Sequence, residues 1–321
     1  MTAFAATQNN GSAGGTGAPN AVKKKAGDKV GTARSRTLWG DAFRRLLKNR
    51  LAIISFFWII FVIIIAISAD AWVPQTLGDP TLVDTNMTAQ LSRLAPSLEH
   101  PFGTDSLGRD VLSRVIYGAR VSLAVGVIAT IISTVIGLLL GALAAYFGGL
   151  LDSIIMRLTD IFMAFPYTLF AIALLAVLGS GFINVFIAIG FLGWTSVARV
   201  VRSAILQVKE NDYVSAARAL GASNFRIIMR HIMPNSIASV VVYSTMSIGT
   251  AILSESALSY LGLGIQAPTP SWGLMISEGQ SFLATAPWLV FCPGVAILLT
   301  VLAFTLMGNG LRDALDVKET T

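Results

Sequence analysis

Few side chains in this sequence could do chemistry, and their spacing suits no covalent mechanism. His100 and His231 are far apart, and Cys292, the one cysteine, sits inside an apolar run. A metal centre needs three or four clustered ligands, so none is expected. There is no GxxxxGK[ST] phosphate loop, no nucleophile–base pair and no pair of carboxylates, which argues against an enzyme. What remains is isolated acids in apolar segments: Asp160 beside Arg157, and Glu255 between Ser254 and Ser256. Ionisable groups within a membrane span are costly and face protein or water rather than lipid. For Asp160 and Arg157, three residues apart, pairing with each other or with a neighbouring helix is favoured over contact with a substrate. For Glu255 two readings stand level: a gate or path lining, or local capping by its serines. Trp194 is the third path candidate.

The elements that must position these residues are membrane helices. The chain has 321 residues, 54% hydrophobic and 12% charged, with a mean hydropathy of +0.71. A soluble domain carries about a quarter charged residues. The fold class is therefore all-α and polytopic. Six apolar segments of about the ~20 residues needed to cross a bilayer lie near 51–69, 120–146, 153–178, 182–206, 236–261 and 285–308. Pro166 should kink the third. Gly137, Gly141 and Ala145 recur every four residues in the second, a small-residue stripe for close packing. Ahead of the spans, residues 1–36 read as a disordered tail, in which Lys23, Lys24 and Lys25 are solvated rather than bound to anionic lipid. Residues 37–50 form a basic amphipathic helix for the lipid interface, with Trp39, Phe43, Leu46 and Leu47 on one face.

Charge sets the orientation. Residues 1–50 hold ten Lys/Arg against two acids, and 199–234 hold six against two. Both belong inside by the positive-inside rule, as do both termini, and only an even number of spans allows it. The net charge of +6 thus reflects orientation and not nucleic-acid binding. The segment 70–117 is acidic and lies outside. Within it Asp105 or Ser106 should cap a short outer helix over Val111, Leu112, Val115 and Ile116, separate from the second span.

One polar, basic stretch interrupts the apolar second half: NDYVSAARALGASNFRIIMRHIMPN, residues 211–235. It reads as two short helices joined at Gly221, which suits a position of positive φ after a helix. Asn211 or Asp212 caps the first, with Tyr213, Ala217 and Leu220 on its apolar face. Ser223 caps the second, with Phe225, Ile228 and Ile232 on its stripe. Pro234 ends it or opens the next helix. From spacing alone, an ordinary inner loop carries equal weight with a docking element. Ala216-Ala217, Gly221 and Ile232-Met233-Pro234, however, resemble the EAA loop of importer-type (type I) ABC transporter permeases. Ser215 stands where that family usually has Glu, and Met233 where it often has Leu. HPFGTDSLGRDVLSRVIYGARVSLAVG (100–126), GLGIQAPTPSWG (262–273) and GLRDALDVK (310–318, Val317 in place of the usual Pro) resemble the dipeptide, oligopeptide and nickel permeases of that group. TLWGDAFRRLLKNR, AIGFLGWTSVARVVR and RHIMPNSIASVVVYS are most similar to the oligopeptide C-type subunit.

The resemblance implies a multi-pass subunit of the bacterial cytoplasmic membrane that forms half of a translocation pathway. It implies as partners a homologous B-type permease, two ATPase subunits that bind the ATP and Mg, an extracytoplasmic substrate-binding protein, and membrane lipid. No cofactor falls on this chain. Coupling to the ATPases would run through Tyr213, Ser215, Ala216, Ala217, Arg218, Gly221, Phe225, Arg226, Ile228, Arg230 and Pro234. The expected cargo is peptide, oligopeptides over dipeptides. Nickel chelates, glutathione, or an ion-coupled secondary transporter are the alternatives.

Overall fold

The structure is a computed structural model and describes residues 38–79, 81 and 88–315. The N-terminal tail, Val317 and the side chain of Trp39 lie outside the described residues. The elements in order are α1 (Leu38–Leu46), α2 (Arg50–Thr76), α3 (Thr88–Leu91), α4 (Val111–Phe147), α5 (Gly149–Ala164), α6 (Tyr167–Leu178), α7 (Phe182–Lys209), α8 (Asp212–Ala219), α9 (Asn224–Ile227), a π turn (Ile228–Ile232), α10 (Met233–Tyr260), α11 (Trp272–Gly279), a 3-10 turn (Gln280–Phe282) and α12 (Trp288–Leu315). Among the described residues, five helical stretches, led by Arg50–Pro74, Val111–Phe147 and Phe182–Lys209, are long and apolar enough to cross a membrane. A sixth crossing exists if the bent pair α5–α6 counts as one.

The pair α5–α6 departs from the expected kinked span. The two helices meet at 89°. Phe165 has φ −90° and ψ 138°, the extended conformation that the ring of a following proline imposes on its neighbour. Pro166 therefore ends one helix and precedes the next, and the direction changes by a right angle. The start of α4 departs too. It begins at Val111, capped by Asp110, whose Oδ1 accepts from Ser113 N–H at 2.8 Å, and runs without a break through Phe147. Val111, Leu112, Val115 and Ile116 are therefore the first turns of the span and not a separate outer helix. Asp105 does not cap: its Oδ1 accepts from Leu107 and Arg109 N–H at 2.8 and 2.9 Å, closing the turn before α4.

The bundle is assembled about α4 and α7. Their seam is lined by glycines of both helices. A Cβ on Gly137 would lie 2.5 Å from Val197 Cβ, and one on Gly141 2.5 Å from the Ala198 carbonyl oxygen, while one on Gly190 of α7 would lie 2.8 Å from Ile132 Cβ of α4. Ala145, the third member of the stripe, is buried. Small residues let two backbones approach where lipid offers no hydrophobic drive for association. Around this seam α10 packs on α4, α7 and α12, and α2 on α4 and α12. The basic helix α1 rests on α12, where Leu46 lies over Gly310, with Phe43 and Leu47 exposed.

Candidate functional site

The stretch 211–235 folds as two short helices across a bend. Gly221 has φ +81°, and Ala222 N–H reaches back to the Ala217 carbonyl at 3.1 Å. Ser223 Oγ accepts from Arg226 N–H at 3.4 Å. Pro234 falls in the first turn of α10. The π turn immediately before it provides the room that a proline ring needs beside the preceding carbonyls. So α9, the π turn and α10 run on as one continuous stretch, Asn224–Tyr260.

The inward faces differ in part from the expected stripes, Ile232 being buried as expected. Val214, Ile227 and Ile232 are the anchors, buried with Val201, Ile205 and Val240. Tyr213, Leu220 and Phe225 point outward, Leu220 being 88% and Phe225 72% exposed. Helices of one or two turns carry apolar residues on both sides, and only the neighbours on α7 and α10 decide which side is covered. Ser215, Ala216, Arg218, Gly221, Arg226, Arg230 and Pro234 are exposed as well, while Ala217 and Ile228 are half-buried. The stretch is braced from behind. Lys209 Nζ donates to the Ala145 and Tyr146 carbonyls at 3.1 and 2.8 Å, a cation on the carbonyls that end α4. Arg202 grips Asp152 of α5 through two bonds of 2.6 Å, the fork geometry that makes Arg–carboxylate pairs strong.

A cleft of about 530 Å³ opens between α4, the α5–α6 elbow, α7 and α10. One wall is aromatic, built by Phe162, Phe165, Tyr167 and Phe170 of the elbow. The facing wall is hydroxylic. Tyr243, Ser247, Thr250 and Ser254 of α10 all line it, and their spacing of four, three and four residues puts them on one helix face. That spacing is visible in the sequence but was masked by the apolar residues between. Thr130 and Ser133 of α4 and Thr195 and Ser196 of α7 add hydroxyls.

None of the path candidates lines this cleft. Asp160 pairs with Arg199 of the neighbouring helix α7 at 2.6 Å, one of the two partners expected for it. Trp194 is 2% exposed and packs its ring edge-on to Phe162 at 5.8 Å, one layer behind the aromatic wall. Glu255 is fully buried, away from lipid and solvent alike. Its carboxylate accepts from Ser122 Oγ at 3.0 Å, Ser259 Oγ at 2.7 Å and Ser256 Oγ at 3.4 Å, with Ser271 a fourth partner. Ser254 instead donates to the Thr250 carbonyl. Four hydroxyls match the four lone-pair sites of a carboxylate, and they come from α4, α10 and the N-cap of α11. Glu255 is thus a knot between three elements. Glu255→Ala leaves these hydroxyls without their acceptor in a buried site and is expected to destabilise the purified protein by about 3 kcal/mol, read as a lowered melting temperature in detergent. An unchanged melting temperature would remove the knot.

A second polar cluster stands at the start of α4. Arg114, 2% exposed, donates from Nη1 to Asp105 and to Glu278 of α11, both at 2.7 Å, and Arg109 Nε donates to Asp105 at 2.7 Å. His100 Nδ1 lies 2.9 Å from Asp110 Oδ2. These residues are scattered through 100–114 and 278, so no spacing in the sequence announces the cluster. Cys292 is half-buried in an apolar cleft between α2, α4 and α12, a packing position.

The molecule is thus a multi-helix bundle with a cleft of one aromatic and one hydroxylic wall and a braced helical hairpin that leaves large apolar side chains uncovered. The comparisons give its class. Residues 137–319 match the family described as binding-protein-dependent transport system inner membrane component, and residues 37–96 the N-terminal TM domain of oligopeptide transport permease C. The chain belongs to this family of ABC importer permeases. It is 45% identical over 280 residues to the dipeptide transport system permease protein DppC of Alkalihalophilus pseudofirmus, covering 87% of this chain and 90% of that one. It is 46% identical over 283 residues to the glutathione transport system permease protein GsiD of Escherichia coli, covering 88% and 91%. Among solved structures, an inward-facing MetNI methionine ABC transporter superposes with a TM-score of 0.53 at 19% identity, over 63% of this chain and 94% of that chain. The shared fold is that of a type I importer permease.

Proposed function

We propose that this permease forms half of the channel of an ATP-driven peptide importer and that it favours oligopeptides over dipeptides. The uncovered apolar face of the 211–235 hairpin carries the reading. Leu220 and Phe225 stand in the open on a stretch with Arg218, Arg226 and Arg230 around them, an apolar centre with a charged rim such as protein interfaces use. One of two ATPase subunits, which bind the ATP and Mg, docks there. A homologous B-type permease completes the pathway, and an extracytoplasmic binding protein delivers the cargo. The density of Lys and Arg in 1–50 and 199–234 supports cytoplasmic termini and a cytoplasmic hairpin in the bacterial inner membrane. ATP binding closes the ATPases, the hairpin transmits the movement to α7 and α10 on either side of it, and the channel alternates between outward-open and inward-open states. The match of residues 37–96 to the oligopeptide permease C family favours oligopeptides. Glutathione, itself a small peptide, is the second reading, supported by the GsiD relatives.

Native mass spectrometry of the complex purified through this chain in mild detergent tests the proposal. The expected masses fit one sister permease and two ATPases, and the ligand stripped from an accompanying binding protein is a peptide. A stable lone chain or homodimer without ATPase would overturn the importer assembly in favour of an ion-coupled transporter. A nickel chelate or glutathione as ligand would overturn the oligopeptide assignment alone.

A further inference from the structure

The cleft between the elbow and α10 has three features that together point to how cargo is handled within the membrane. The first is its charge. Among the described residues, no Asp, Glu, Lys, Arg or His lines it. Of the acids predicted for the path, Asp160 is paired with Arg199 and Glu255 is enclosed by serines, and neither lines the cleft.

The second is the state of its hydroxyls. Ser247 Oγ donates to the Tyr243 carbonyl at 2.9 Å, Thr250 Oγ1 to the Ser247 carbonyl at 2.8 Å and Ser254 Oγ to the Thr250 carbonyl at 2.9 Å. Ser133 Oγ on the α4 side donates to the Ala129 and Gly190 carbonyls at 2.9 and 2.8 Å. A hydroxyl has one proton and two acceptor sites. With those protons given to the helices' own carbonyls, Ser247 and Thr250 present oxygen acceptors to the cleft, while Ser254 is also hydrogen-bonded to Tyr167 of the aromatic wall. Thr130 is the exception, with a hydroxyl free to donate as well as to accept. It lines the cleft, is 6% exposed, and its Oγ1 has no hydrogen-bond partner. A buried hydroxyl left unpaired costs about 1–3 kcal/mol, and a ligand bonded there removes that cost. The third feature is the aromatic wall of Phe162, Phe165, Tyr167 and Phe170 opposite.

Resting on the importer reading, we infer that this cleft is a charge-blind transit surface, on which the α10 hydroxyls of Ser247 and Thr250 accept from backbone N–H groups of the passing peptide and Thr130 bonds its N–H or carbonyl groups, while its side chains slide over the aromatic elbow. Such a wall recognises what all peptides share. A fixed charge would bind one class of side chain and repel the other, and a bound class would leave slowly. A neutral acceptor ladder separates neither, so selection for side-chain charge is left to other parts of the transporter.

The test places a charge on the ladder. The complete transporter, with its sister permease, ATPases and binding protein, is reconstituted in proteoliposomes. ATP-driven uptake is measured for three peptides of one length that differ only by a central Lys, Gln or Glu. The binding protein is the same throughout, so its own preferences cancel when each variant is compared with wild type. Thr250→Asp is expected to raise the Lys-to-Glu uptake ratio by on the order of tenfold, and Thr250→Lys to lower it by a similar factor, as fixed charges a few ångströms from the cargo require. Ser247→Asp and Ser247→Lys read the same ratio one turn away if a Thr250 variant fails to assemble. Opposite shifts from the Asp and Lys variants support the inference. A ratio that does not move, or equal slowing of all three peptides, overturns it. Wild-type transporter that takes up none of the three with ATP would instead defeat the importer reading itself.

Discussion

Gly221→Asp is expected to abolish ATP-driven uptake while leaving the protein inserted and folded. A Cβ at Gly221 meets nothing within 4 Å, and the residue is exposed. The chain itself therefore has room for the new side chain. The strain of an L-residue at φ +81° is about 1–2 kcal/mol and falls on a bend, not on the core. What changes is the surface. Gly221 sits between Leu220 and Phe225, and a carboxylate there must be desolvated, without a partner, when another protein covers the face. Spoiling a central anchor of an interface costs about 2–4 kcal/mol, on the order of a hundredfold in affinity. The variant should lose the ATPases in co-purification and show only background uptake, yet melt within a few degrees of wild type. Phe225→Asp should do the same. A Gly221→Asp protein that retains its ATPases and transports normally would show that the hairpin is an ordinary loop.

The second large effect is expected at Gly141, and it is the reverse: structure fails before function is reached. Its Cβ would lie 2.5 Å from the Ala198 carbonyl oxygen and 2.9 Å from Val201 Cβ, and both neighbours are backbone or bound closely to it. Gly141→Val cannot be absorbed by moving a flexible side chain, so α4 and α7 must separate along the seam that holds the bundle. Overpacking of this kind costs about 3 kcal/mol, and the loss should appear as poor recovery of monodisperse protein and a melting temperature lowered by many degrees. Gly294 of α12 is the comparison. It too is helical, but a Cβ there meets nothing within 4 Å. Gly294→Ala should leave stability unchanged or raise it by about 0.5–1 kcal/mol. If Gly141→Val were as benign as Gly294→Ala, the close approach of α4 and α7 would be wrong.

What could be read in advance followed from local rules. Lipid demands long uncharged helices, so 54% hydrophobic residues with regular basic breaks already describe a polytopic bundle. Gly221 and Ser223 announced a bend and a cap because those residue types serve positive φ and N-terminal N–H groups whatever surrounds them. The motifs of 211–235, 100–126 and 262–273 carried the family. What spacing left open was settled by neighbours distant in sequence. Asp160, for which Arg157 or a neighbouring helix were the expected partners, pairs with Arg199 of α7. Glu255 has Ser254 beside it but draws hydroxyls from Ser122 and Ser259.

The sequence by itself determined the class of the protein, its helical segments and the place of its exposed hairpin, because hydropathy, charge and turn chemistry act over a few residues. Only the tertiary structure decided which side of the hairpin is buried, that Pro166 turns the chain by 89°, and that this elbow faces the hydroxyl row of α10 to make a cleft. The reason is that a helix face has no function until something packs against it or leaves it open, and helices α4, α5–α6, α7 and α10 meet at the cleft from positions spread over more than a hundred residues.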